Sequence, residues 1–267
     1  MKIFANHAHT FPTEIKPEAD HDSLRRYLDE CGIDKCVAFS CFNKLIRNAG
    51  LEMDTNRYNY ENIKNDSRFV GFGVIDETKD NFEEQIEQIA DYGFKGIKVH
   101  PQAQDLKIDG EKAFRIYAKC EELGLFISFH SGIHWNRLRD NKVELFDEVA
   151  YNFPKLNFSM EHMGGYSYFN EALAVMVNNK RSFPRRIFAG WTTINNSGGA
   201  WSISDEQLKI LLKQTSDDNS IFGLDFPYNN AEYTIRAIER IKNLDIPEES
   251  KEKILGKNLA SVLGVEL

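Results

Sequence analysis

No stretch of this sequence approaches the roughly 20 uninterrupted apolar residues of a membrane-spanning helix, so none is expected. The first residues, Met1-Lys2-Ile3-Phe4, lead straight into a histidine pair, with no charged head, long apolar segment and cleavage site before it; a cytoplasmic protein is expected. Cysteine is scarce. Cys31, Cys36, Cys41 and Cys120 include no C-x-x-C spacing, which argues against a redox or zinc role and for buried free thiols. Positive charge is also short: 33 Lys and Arg against 41 Asp and Glu give a net charge of −8, and no basic face for nucleic acid or an anionic membrane is visible. There is no Pro- or Ser-rich linker, low-complexity tract or sequence repeat, so residues 1–267 are expected to form one domain.

What is present is a composition able to bury a sizeable core, with 42% hydrophobic and 28% charged residues. Apolar, β-rich runs fall at 2–8, 35–40, 69–75, 95–99, 125–130, 156–161, 187–191 and 221–224. Helical spacing runs over 22–31, 80–92 and 111–123, ending at Gly32, Gly93 and Gly124, residues suited to a left-handed cap. Further helical patterns cover 142–152, 168–180, 205–215 and 230–243, with Ser204 and Gln207 spaced as a capping box. The segment 53–64 is the least regular, and 248–263 reads as a closing helix. Strands separated by about thirty residues, each followed by a helix, call for parallel crossovers. Their number favours a closed (β/α)8 barrel over an open doubly wound sheet.

The strand ends carry the chemistry. His7 and His9 lie two apart, so in an extended strand both project to one side and can converge on one ion. The fourth strand ends in Lys98-Val99-His100, the fifth in His130, the sixth in Glu161-His162 and the eighth in Asp225. In a barrel all these carboxyl ends share one rim, where active sites are built. With His134 counted from the loop after strand five, six of seven histidines meet there and His21 alone falls elsewhere. Glu161 should alternate away from His162, toward the helix layer or a neighbouring loop. Arg137 on that same loop is a candidate partner for a substrate carboxylate, and Trp191, at the end of strand seven, for the pocket wall. The Asn195–Gly199 stretch reads as a mobile lid over the mouth.

The fragments NHAHTFP, NDSRFVGFGVID, GFKGIKVHPQAQ, LGLFISFHSG, FSMEHMGG, IFGLDFPY and KILGKNLASVLG, in this order, resemble the amidohydrolase superfamily. Within it they are similar to the amidohydrolase-related branch typified by aminocarboxymuconate-semialdehyde decarboxylase. The resemblance implies a distorted (β/α)8 TIM barrel of the metallo-dependent hydrolase type. It further implies one divalent metal, zinc or alternatively manganese, held by His7, His9, His130 and Asp225, with His162 acting on the substrate. Imidazoles with a carboxylate suit Zn²⁺, and a coordination position left to water makes such a site catalytic. Asp225 could then take a proton from that water, and His162 could steady a developing oxyanion. Two features depart from the family. Ala5 stands where an acidic residue is frequent, which bears on how the ligands are oriented. On strand four, where binuclear members bridge two metals with a carboxylated lysine, Lys98 and His100 both point inward; with His100 at the rim, one metal is expected and His100 becomes a substrate-binding group.

The primary expectation is a hydrolase of a small ester, lactone or amide using a metal-activated water, and the alternative is nonoxidative decarboxylation of a small carboxylic acid on the same site. A phosphoesterase that also opens on H-x-H is disfavoured because Asp225-Phe226-Pro227 lacks its D-x-H ending. A noncatalytic barrel is disfavoured by the intact ligand set. The expected partner is a small-molecule substrate, not nucleic acid or membrane, with a homo-oligomer left open.

Overall fold

The computed structural model describes residues 1–135, 137–140, 142–180 and 186–267. Eight parallel strands close into a barrel in chain order: β1 Phe4–Thr10, β2 Lys35–Ser40, β3 Phe69–Val74, β4 Gly96–Val99, β5 Phe126–His130, β6 Phe158–Glu161, β7 Ile187–Thr192 and β8 Ser220–Phe226, with β8 pairing β1. Every strand expected from the sequence is present. The helices around them are α1 His21–Cys31, α2 Asn43–Asn48, α3 Thr55–Ile63, α4 Phe82–Asp91, α5 Glu111–Leu123, α6 Phe146–Asn152, α7 Gly165–Asn179, α8 Asp205–Gln214 and α9 Ala231–Asn243. Two more, α10 Glu248–Glu252 and α11 Asn258–Leu263, run on through a π segment over Lys253–Lys257, so residues 248–263 form the continuous closing helical segment expected, with a π segment inside it.

Local chemistry explains the boundaries. The Asp20 carboxylate accepts from Ser23 N at 2.8 Å to start α1, and Gly32, at φ 65°, ends it. Asp54 does the same for α3, accepting from Asn56 N and Arg57 N at 3.0 Å, which explains a helix in the segment whose periodicity is weakest. The capping box of Ser204 and Gln207 forms in full. α2 was not expected; six residues are too few to establish a helical period.

Strand alternation sorts side chains into two cores. Phe4, Val37, Val70, Phe72, Phe126, Phe188 and Ile221 fill the barrel interior and meet Leu259 and Leu263 of α11 beneath it. The opposite positions, such as Cys36, Ile97, Ile127, Met160, Ala189 and Phe222, pack outward against the helices. All four cysteines are buried free thiols, and burial raises those of Cys31 and Cys41 to about 12 and about 11. Among the described residues, no helix is long and apolar enough to cross a membrane.

Candidate metal centre and active site

The rim departs from regular strand geometry where the chemistry lies. His7, His162, Met163, Thr193 and Asp225 all have positive φ, between 47° and 70°. Outside glycine this conformation is uncommon and is held only by surrounding structure. At His7 it accompanies a register shift between Ala5 and Ala8, so Asn6, His7 and His9 all face the barrel interior. The pair thus converges as expected, but through a bulge rather than through plain alternation.

The convergence is close. His7 Nε2 lies 3.2 Å from His9 Nε2, and the two stand 3.4 and 3.6 Å from the same Asp225 oxygen, Oδ1. His162 joins them: it, His7 and Asp225 each offer a ligand atom within 4.8 Å of the others. His130 lies behind His162, with ring centroids 5.0 Å apart, and its buried Nε2 has no hydrogen-bond partner. Two facing imidazole nitrogens, a shared carboxylate oxygen and an orphaned buried nitrogen fit a divalent cation among imidazole and carboxylate donors. It is His162, rather than His130, whose ligand atom lies within 4.8 Å of those of both His7 and Asp225.

Burial lowers the pKa of His7, His9, His130 and His162, holding the imidazoles neutral, the form that binds metal. Burial alone would raise Asp225, but His9, His162 and His7 overcome it and keep the carboxyl well below the usual carboxylate range. Its other oxygen accepts from Thr193 Oγ1 at 3.0 Å. His162 Nδ1 sits 3.2 Å from the Thr192 carbonyl, which can only accept, so Nδ1 carries the proton and Nε2 bears a lone pair. Neutral His162 is therefore fitted to accept a proton or bind a cation. The sequence-derived role of steadying an oxyanion needs a donor that this tautomer does not present.

Of the substrate candidates, His100 stacks on His130 with centroids 3.9 Å apart and accepts from Ala103 N at Nδ1, leaving Nε2 as the protonated nitrogen. His134 is 4.2 Å from His100, as expected of a mouth residue. Arg137 is exposed on the loop after β5; its neighbour Asn136 lies outside the described residues. Trp191 is misplaced by the sequence reading. It faces outward and is fully buried in the core beneath the helices, because Gly190 and Thr192 take the inward positions of β7. An aromatic that does reach the mouth is Trp201, half-buried, its ring centroid 4.8 Å from that of His162 and 5.7 Å from that of His130. Its only sequence signal is an aromatic just after Gly198-Gly199. The Asn195–Gly199 stretch expected to be a lid leads into it, and the loop is hydrogen-bonded at the start of that stretch and just beyond its end. Asn195 Nδ2 donates to Tyr233 Oη at 3.1 Å, Asn195 Oδ1 accepts from Ser202 Oγ at 2.7 Å, and Ala200 O accepts from Tyr166 N at 2.9 Å.

Beneath the rim, Lys98 is fully buried with no hydrogen-bond partner at Nζ. Burial lowers it to about 7, against the pull of Glu161 and Asp225. Glu161 corrects a second expectation: it points into the barrel, not away from it. The positive φ of His162 turns the chain as β6 ends, so consecutive residues reach the same interior.

Residues 42–265 match the model of the amidohydrolase family. The chain belongs to the amidohydrolase family. The match begins after β2, so His7 and His9 lie outside it and are tied to the site by the closed barrel. Solved structures similar to this amidohydrolase include a 5-carboxyvanillate decarboxylase from Novosphingobium aromaticivorans complexed with manganese, 17% identical, covering 99% of this chain and 96% of that one, with a TM-score of 0.73. Another is a 2,6-dihydroxybenzoate decarboxylase from Rhizobium, 15% identical over 99% of each chain, with a TM-score of 0.71. A third is a candidate 2-pyrone-4,6-dicarboxylic acid hydrolase from Pseudomonas putida, 14% identical over 100% and 98%, with a TM-score of 0.73. At such identities the likeness is one of fold. No curated protein matches the chain.

Proposed function

We propose that this amidohydrolase is a metal-dependent hydrolase of a small organic substrate carrying an ester, lactone or amide. The observation that carries this reading is the focus of His7 Nε2, His9 Nε2 and Asp225 Oδ1 within 3.2–3.6 Å at the buried rim. His7, His9 and Asp225 hold the ion, with His130 as the remaining ligand. Zinc suits these donors, and manganese, bound in a similar decarboxylase, is the alternative. When bound, a divalent ion of this kind lowers the pKa of a coordinated water to about 7. Asp225 accepts a proton at its carboxylate, where Thr193 fixes one oxygen. His162 Nε2 accepts or returns a proton on the substrate side, its ring held by the Thr192 carbonyl. His100 offers an Nε2–H to the substrate, and Arg137 supplies a guanidinium for a substrate carboxylate.

A second reading, nonoxidative decarboxylation, is favoured by one observation: Trp201 and the rings of His130 and His162 form an aromatic wall suited to a flat unsaturated acid. A panel of esters, lactones, amides and aromatic acids, assayed with Zn²⁺ and with Mn²⁺ and scored separately for hydrolysis and carbon dioxide release, decides between them. Hydrolysis without carbon dioxide release is expected, and release from an aromatic acid selects the second reading. His130→Ala should lower bound metal; unchanged metal content, together with loss in His162→Ala, would give the ligand position to His162.

A further inference from the structure

Glu161 is a carboxylate sealed at the centre of the barrel, fully buried, directly under the ligand pair. Four side-chain donors converge on it from four strands. Asn6 Nδ2 donates to Oε1 at 2.7 Å and Ser128 Oγ at 3.2 Å, while Ser159 Oγ also reaches Oε1 and Thr192 Oγ1 reaches Oε2. The strand walls are shaped to admit it. A Cβ on Gly190 would stand 2.6 Å from the Glu161 carboxyl, and one on Gly223 3.2 Å from Oε2. Such an acceptor, immobilised on several sides, holds a neighbour's orientation well.

That neighbour is His7, whose Nδ1 is 3.3 Å from Glu161 Oε2. The contact is close enough for attraction, although it is not aligned as a hydrogen bond, and Nδ1 has no other hydrogen-bond partner. A lone pair on Nδ1 would face a carboxylate oxygen and be repelled; a proton there is attracted. The other edge of the ring agrees. Of the two Nε2 atoms 3.2 Å apart, at most one can carry a proton between them. With the His7 proton on Nδ1, facing Glu161, its Nε2 is free to accept from His9 or to meet an ion.

We propose that Glu161 is the positioning carboxylate of this site, holding His7 in its Nδ1–H tautomer so that Nε2 is the ligand atom. The orienting group thus comes from β6 rather than from β1, where Ala5 offers none. The proposal rests on the metal-site reading above, but its primary test does not need metal. In the metal-free wild-type protein, imidazole ¹⁵N chemical shifts should give His7 protonated at Nδ1; protonation at Nε2 overturns the proposal. Glu161→Gln presents an amide N–H to donors that already point inward. It should shift His7 toward the other tautomer and weaken zinc binding, measured by chelator competition, about 10- to 100-fold. A folded Glu161→Gln protein with unchanged zinc affinity and an unchanged His7 tautomer also overturns it. If Glu161→Gln does not fold, the wild-type tautomer decides alone. If the wild type binds no divalent metal at all, the metal-dependent reading fails, while the ¹⁵N result still decides the role of Glu161.

Discussion

The two ends of the barrel interior are built on opposite principles. At the amino-terminal floor, Phe4, Val70, Phe72, Phe126, Phe188 and Ile221 interlock over α11, and none of them has a positive φ. At the rim, His7, His162, Met163, Thr193 and Asp225 have positive φ, at roughly 1–3 kcal/mol each for a non-glycine residue. The rim also holds neutral imidazoles, a buried lysine and two inward carboxylates. Apolar packing at the floor and around the strands stabilises the fold, and the rim draws on that stability to keep unfavourable geometry and unmatched polar atoms in place. The comparison makes a definite claim: rim changes should cost activity with little stability, and floor changes the reverse.

The rim half is tested most strongly by Asp225→Asn. The substitution removes the negative charge from the focus, yet Asn tolerates the φ of 58° as Asp does. Activity on whichever substrate the panel identifies should fall on the order of 10³-fold or more in kcat/KM, about 4 kcal/mol. The Tm should stay within a few degrees of wild type or rise. A large fall in Tm would mean that the rim contributes to the fold in a way the comparison denies.

Phe126→Ala is the converse. Its ring lies between Phe72 and Phe188, at centroid distances of 6.0 and 5.8 Å, and truncation leaves a cavity in the floor. A loss of about 3–5 kcal/mol in denaturant unfolding is expected, with metal content and kcat per folded molecule near wild type. Reduced metal binding in protein shown to be folded would couple floor to rim and break the division.

A smaller effect sharpens the boundary with the outer layer. His21, at the start of α1, is buried and joined to Asn59 Oδ1 at 2.9 Å, while Asn59 Nδ2 donates to the carbonyls of Ala38 and Phe72. Burial lowers its pKa to about 4, so the unfolded chain takes up this proton before the folded one does. Stability from this residue is complete above about pH 6.5 and declines as pH falls toward 4, by up to about 3 kcal/mol. His21→Gln keeps an N–H for Asn59 and does not titrate. Its unfolding free energy should be flatter than wild type across that window, and parallel curves would remove His21 from the account.

The same division governs how much can be read from sequence. The floor and strands were legible because regular periods apply there, and all eight strands fall where the apolar runs predict. The histidines and Asp225 were legible because they sit at strand ends. Glu161 was not: its orientation follows from a turn at His162 that strand alternation does not contain, and its donors come from β1, β5, β6 and β7. Trp191 was assigned to the mouth through its place near a strand end, when the flanking Gly190 and Thr192 occupy the inward positions. Trp201 comes from a loop with no period, placed by hydrogen bonds from Ser202 Oγ to Asn195 Oδ1 and from Tyr166 N to the Ala200 carbonyl.

The finest test concerns a single rim hydroxyl. Thr193 Oγ1 donates to Asp225 Oδ2 at 3.0 Å and accepts from Asn229 Nδ2 at 3.2 Å, linking the loop after β7 to the residues that follow β8. Thr193→Val keeps the β-branched shape at a φ of 57°, so backbone strain is matched and the hydroxyl alone is lost. Asp225 then keeps its imidazole contacts through Oδ1 but loses the bond that fixes its rotation. The loss of one hydrogen bond to a charged group corresponds to about 1.5 kcal/mol, or roughly a tenfold fall in kcat/KM, with Tm little changed. Thr193→Ser, which restores the donor, should recover most of that loss. Equal activity in the valine and serine variants would show that the imidazoles alone orient Asp225, and the strained loop after β7 would then serve to carry Trp201 to the mouth rather than to set the carboxylate.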